Sequence, residues 1–280
     1  MTQDMIKYNI FFDESEVKSL RVNMDISLMG CLRIPESLYN TPKVQSLTAK
    51  LRNGSLKLHF AEYKQSHLKK YSSVLSEFSG ENRENIKYMK FNIIAYSKDE
   101  YISGHTAYNK TTIKNMEYAK IPERVIYGSI RNISKYKPTK VKLFIENSTE
   151  YSRIGLNKTL EDQLNVQSLY RNDNFVIERA GLYPKGKEIG IEITDMILGI
   201  ISVIIRNAYA VDSNGEILSN NLLGKKRFIY KNRLIIESIL ENTYYFEMNG
   251  LDRLTKRDLF PFWHEFIIRF EQELFLRENK

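Results

Sequence analysis

The stretch Lys187–Arg206, K-E-I-G-I-E-I-T-D-M-I-L-G-I-I-S-V-I-I-R, is the most apolar run of the chain, yet Glu192 and Asp195 sit inside it. Acids three residues apart share one face of a helix. An ionised carboxylate removed from water without a partner is costly, so such groups pair with a cation or bind a metal. A membrane span is excluded here, because only Met196–Ile205 is free of charge and a bilayer needs roughly 20 residues. The run reads as a central helix laid on a sheet, with Asp195 aimed at something positive.

Upstream, strand and helix patterns alternate. Met5–Phe12 reads as a first strand, buried at its end, and Asn23–Ile34 as a second apolar run. Ser37–Leu51 has helical spacing, Asn53-Gly54 is a turn, and a short strand is expected over residues 56–61. Ser66–Phe78 reads as a helix, Lys87–Tyr96 as a strand, and His105–Ser134 as a helix kinked or divided at Pro122. Lys140–Ile145 is a strand, Arg153–Tyr170 a helix, Phe175–Glu178 a strand and Gly181–Gly186 a loop. After a turn at Asp212–Gly215, Asn220–Lys226 reads as a polar link. Arg227–Glu247 and Asp252–Arg277 read as two amphipathic helices, the second rich in aromatics. The pattern predicts an α/β fold over residues 1–210, with a C-terminal α-helical extension over 220–280 packed on it.

Four acids stand out. Ile10-Phe-Phe-Asp13-Glu14-Ser15 and Leu143-Phe-Ile-Glu146-Asn147-Ser148 are both apolar strands that end in an acid. That end of an open α/β sheet is where ligands bind. Glu62 follows a third predicted strand, with Lys64 two residues on, and Asp195 lies on the helix. Mg²⁺ and Mn²⁺ take oxygen ligands, so a few carboxylates from separate elements suit them. Such ions can activate water for phosphodiester cleavage, and a lysine can neutralise the charge that builds on the phosphate. Asp13, Glu62, Glu146 and Asp195, with Lys64, make a coherent catalytic set. Glu14, His59 and Glu192 are placed in support. The competing readings are a turn at Asp13-Glu14, a solvated Glu62–Lys64 pair and a helix cap at Glu146-Asn147.

The totals suit a nucleic-acid partner, or solubility alone. The net charge is +8 and the pI about 9.2, a balance that favours polyanions. The single cysteine, Cys31, rules out a disulfide framework or a thiolate metal site within the chain and reads as a buried structural thiol. The opening M-T-Q-D-M-I-K has no secretory pattern, so a cytoplasmic location is expected. No phosphate-cradling glycine loop, nucleophile elbow or zinc spacing is present.

Phe11-Phe12-Asp13-Glu14-Ser15 resembles the D-E-S motif that opens the bacterial domain-of-unknown-function family 3800. Glu62-Tyr63-Lys64 resembles that family's E-x-K. Glu146 falls where the family usually has Asp, and Gly190-Ile-Glu192-Ile-Thr-Asp195-Met-Ile-Leu-Gly199 is similar to its late helix, in which Gln is common at position 192 and Ala at 194. Glu16 stands where a glycine usually follows D-E-S. The resemblance spans roughly residues 5–205. It implies an RNase H-like mixed sheet flanked by helices, an acidic cluster for Mg²⁺ or Mn²⁺, nuclease activity and an association with phage (antiviral) defence. Two alternatives stand beside a nuclease. One is a catalytically weak or inactive binding and assembly module, whose C-terminal helices serve a protein partner or a homodimer. The other is a hydrolase of small phosphoesters. No membrane partner is expected.

Overall fold

Alternation along the first strand decides the layers. Ile10 and Phe12 fall in one apolar cluster and Phe11 in another, as expected when successive side chains leave opposite faces of a strand. A computed structural model gives the fold, in which residues 5–17, 26–97, 107–131, 133, 137–249 and 253–279 are described. Among the described residues, β1 (Ile6–Val17), β2 (Ile26–Pro35), β3 (Lys90–Ser97), β4 (Thr139–Glu146), β5 (Phe175–Tyr183), β6 (Thr243–Asn249) and β7 (Arg253–Arg257) form one sheet. Their order is β5-β4-β1-β2-β3-β6-β7. β1, β2 and β3 make an antiparallel meander, and β4 and β5 continue in parallel from β1. β6 lies parallel to β3, and β7 antiparallel to β6.

Among the described residues the α-helices are α1 (Glu36–Tyr39), α2 (Pro42–Arg52), α3 (Leu68–Ser79), α4 (Lys110–Asn115), α5 (Ile121–Ile130), α6 (Thr149–Ile154), α7 (Leu156–Tyr170), α8 (Ile189–Arg206), α9 (Asn220–Lys231), α10 (Arg233–Glu241) and α11 (Phe260–Glu278). One face of the sheet packs on α8, with α2, α3, α10 and α11 around it. The other face packs on α5 and α7 through Val125, Ile126, Leu160 and Leu164. The α/β class and the flanking helices are as expected. Among the described residues, no helix is long and apolar enough to cross a membrane.

Several boundaries differ from expectation. β1 runs on through Asp13-Glu14-Ser15, so these residues do not form a turn. Residues 56–61 are not a strand. Leu56, Leu58 and Phe60 are buried, so the alternation reflects one-sided burial, but the segment pairs with no strand and tightens into a 3₁₀ turn at Phe60–Glu62. Gly155, at φ 60, divides the predicted 153–170 helix. Pro122 sits in the first turn of α5, where its missing N–H is no loss; a π turn at Met116–Lys120 joins α4 to α5. Residues 23–25, 105–106, 132, 134 and 252 of the predicted elements lie outside the described residues.

The C-terminal part departs most. Asn220–Lys226 is the start of α9, not a link, because Ser219 caps it by accepting from Leu222 N–H at 3.3 Å. Thr243–Asn249 is a strand. Its T-Y-Y-F run follows the end of α10 and pairs with β3, so β-forming side chains and a free sheet edge override the helical spacing read across it. The extension therefore adds two strands to the sheet as well as helices.

Candidate active site

The β1–β4 register sets the first two acids. Phe12 and Ile145 are neighbours in this parallel pair, so the next residues, Asp13 and Glu146, leave the two strands side by side. Asp13 has the parity of Phe11, and Glu146 that of Phe144. Those rings stack at 4.8 Å and pack with α8. Both acids thus lie on the face that α8 covers. Glu14 has the opposite parity, and its Oε2 accepts from Tyr151 O–H at 2.8 Å in the other layer. That removes it from the cluster.

Small residues let α8 come close enough to bring its own acids in. A Cβ on Gly190 would stand 2.4 Å from the Phe11 ring, and one on Gly199 would stand 2.2 Å from Phe60 Cδ1. Gly30, the β2 partner of Asp13, makes the same allowance for Leu198. At its start the helix is tied by Glu188, which accepts from Tyr39 O–H at 2.7 Å and pairs with Arg52. Asp195 then meets the turn at residues 59–62. Its Oδ2 accepts from Phe60 N–H at 3.0 Å and lies 3.4 Å from His59 Nδ1.

The electrostatics are uneven. Asp13 is 2 % exposed. Its Oδ1 accepts from Glu14 N–H at 2.7 Å, while its Oδ2 is buried with no hydrogen-bond partner. Burial, then the contact and charge of Glu146, then the charge of Asp195, hold the Asp13 carboxyl well above the ordinary range. Burial also pushes Glu192 up to about 7, although Gly186 N–H donates to its Oε1 at 2.7 Å; its Oε2 is a second buried oxygen without a partner. Burial works to raise Asp195 too, but the bonds from His59 and Phe60 and the charge of Lys185 outweigh it and hold Asp195 below its ordinary value. The hydrogen bond to Asp195 raises His59 in turn.

Lys185 is the cation of the cluster. It reaches in from the loop before α8, with Nζ 3.3 Å from Glu146 Oε1. Burial opposes its charge, but Glu146, Asp195 and Asp13 together raise its pKa. Spacing and periodicity gave no sign of it, since a lysine in a Gly/Pro/Lys loop has neither. The only signal was its place, just ahead of the acid-bearing helix.

The structure thus gathers Asp13, Glu146, Asp195 and Glu192, with His59 beside Asp195. Glu62 stays exposed at the rim, where its charge is felt by His59 and Tyr71. Lys64 is exposed and lines a neighbouring cleft. Among the described residues, no three His, Cys, Asp or Glu side chains are grouped to hold an ion as they stand. The donor chemistry nonetheless fits a hard divalent cation. The gathered donors are carboxyl oxygens, and Asp13 Oδ2 and Glu192 Oε2 are buried without a hydrogen-bond donor. No family model matches the chain, and no curated protein or solved structure does either.

Proposed function

We propose that this protein is a divalent-metal-dependent nuclease with an RNase H-like core, as the resemblance to family 3800 implies. The run β3-β2-β1-β4-β5, an antiparallel meander continued by two parallel strands, is a mixed sheet of the kind the resemblance implies and supports the reading. The observation that carries it is the buried Asp13 carboxyl, which stands against the Glu146 carboxyl and in the field of Asp195 and whose Oδ2 receives no hydrogen bond from a protein N–H or O–H donor.

Asp13, Glu146 and Asp195 would hold Mg²⁺ or Mn²⁺. A bound ion of this kind activates water and stabilises the leaving oxygen of a phosphodiester. His59 and Phe60 N–H fix the Asp195 carboxylate and keep it ionised. Lys185, 3.3 Å from Glu146, compensates negative charge at the acids and would take over from Lys64 the expected role of neutralising charge on the phosphate. Glu192, its carboxyl pushed up to about 7 by burial, supports the helix start by accepting from Gly186 N–H. The basic balance of the chain favours a nucleic-acid substrate.

Cleavage of RNA and DNA in Mg²⁺ and in Mn²⁺ tests this. Asp13→Ala and Asp195→Ala should each lower the rate by on the order of 100-fold or more. Wild-type cleavage that persists in both variants removes the site assignment. A second reading, an inactive binding or assembly module, is favoured by one observation: Lys185 already pairs with Glu146. Wild type that neither cleaves nor binds the metals would support it.

A further inference from the structure

A cleft of about 520 Å³ opens between the turn that carries Lys64 and the first turns of α9. Its walls include three cations, Lys64, Arg227 and Arg277, and three amides, Gln65, Asn220 and Asn221, and no acid. Among the described residues, no ion pair joins any of the three cations to a carboxylate. Cations that face one space without counter-charges create a local positive potential. Asn220 and Asn221 stand in the first turn of the twelve-residue α9, whose dipole adds to that potential.

The cleft is joined to the acids. Phe60, whose N–H holds Asp195, is four residues before Lys64 on the same turn. Between them, Lys225 of α9 donates to Ala61 O at 3.4 Å and lies over the Phe60 ring, within the field of Asp195. Cations therefore run from Lys185 past Lys225 into the cleft. The ionised acids of the cluster, Asp195 foremost, repel the phosphate they would act on. The attraction that brings a strand there has to come from groups outside the cluster, remote from the reacting bond.

We propose that this cleft is a phosphate subsite, which holds a backbone phosphate of the substrate strand away from the bond presented to the acids. The proposal rests on the nuclease reading for its choice of ligand. The shared chemistry is phosphate, and a nucleic-acid strand is favoured over a free anion because the cations continue to the acids.

Anisotropy of a labelled single-stranded oligonucleotide, titrated with full-length protein in EDTA over a salt series, tests it. Arg227→Gln with Arg277→Gln should weaken binding about tenfold at low salt and flatten the slope of log K against log salt by roughly 0.7 per charge removed. Lys64→Gln, at an exposed position, should do the same for one charge, and it stands in should the arginine pair melt early. Unchanged affinity and slope in these variants would overturn the proposal. So would weaker binding of inorganic phosphate with the oligonucleotide unaffected. Because EDTA removes catalysis, the two readings fail separately. Binding through the cleft without cleavage in Mn²⁺ defeats the nuclease alone, and cleavage with binding insensitive to the variants defeats the cleft alone.

Discussion

Asp13 Oδ2 and Glu192 Oε2 are the buried oxygens of the cluster that receive no hydrogen bond from a protein donor. Both carboxyls hold their protons more tightly in the folded chain than in the unfolded one. The stability this gives is whole below an ordinary carboxyl pKa and is lost as pH rises through the folded value, about 7 for Glu192. A rise from 4.5 to about 7 corresponds to on the order of 3 kcal/mol at high pH. Glu192→Gln keeps the shape and removes the titration. In EDTA it should raise the melting temperature at pH 8 and change it little at pH 5. An equal change at both would contradict the origin given to the shift. Added Mn²⁺ should stabilise wild type more at pH 8 than at pH 5, because the ion needs ionised ligands. Asp195 was legible in the sequence because an acid inside an apolar run demands a partner. Lys185 was not, because its reach depends on how the loop turns at Gly186, with φ 75, before α8 begins.

Among the elements, α9 and α11 are held by an ion pair buried more deeply than any acid of the site. Lys226 and Glu273 are 0 % and 1 % exposed and 2.6 Å apart, and Ala210 N–H also points at Glu273. Breaking such a pair leaves a lone buried charge, which costs about 3–5 kcal/mol, whereas replacing both partners by apolar groups is near neutral. Urea unfolding of Lys226→Met and Glu273→Leu should show each single change as strongly destabilising and the double change as close to wild type. Additive losses would mean that the pair does not act as a unit. Nothing in the sequence linked these two residues, which are 47 positions apart. The same limit explains the missed β6. Helical spacing through Ile235, Ile236 and Ile239 was real, but the open edge of β3 that captures the following residues is a property of the folded sheet.

Across the whole molecule, the sheet continues from β3 into β6, and the main core joins Phe11 and α8 to Phe228, Tyr245 and Trp263. The region beyond residue 220 therefore shares one core with the rest. Alternating strands and helices revealed the α/β class, since burial on two faces leaves that pattern in a sequence. Strand order did not show, because nothing local records which strands become neighbours. Yet that order sets Asp13 beside Glu146 and gives the acids their shared face. The most direct test of the central claim is anomalous diffraction from crystals soaked in Mn²⁺. The account predicts a peak among the carboxylates of Asp13, Glu146 and Asp195, with the Lys185 ammonium moved off Glu146. No peak there, with Lys185 still paired to Glu146, would contradict it.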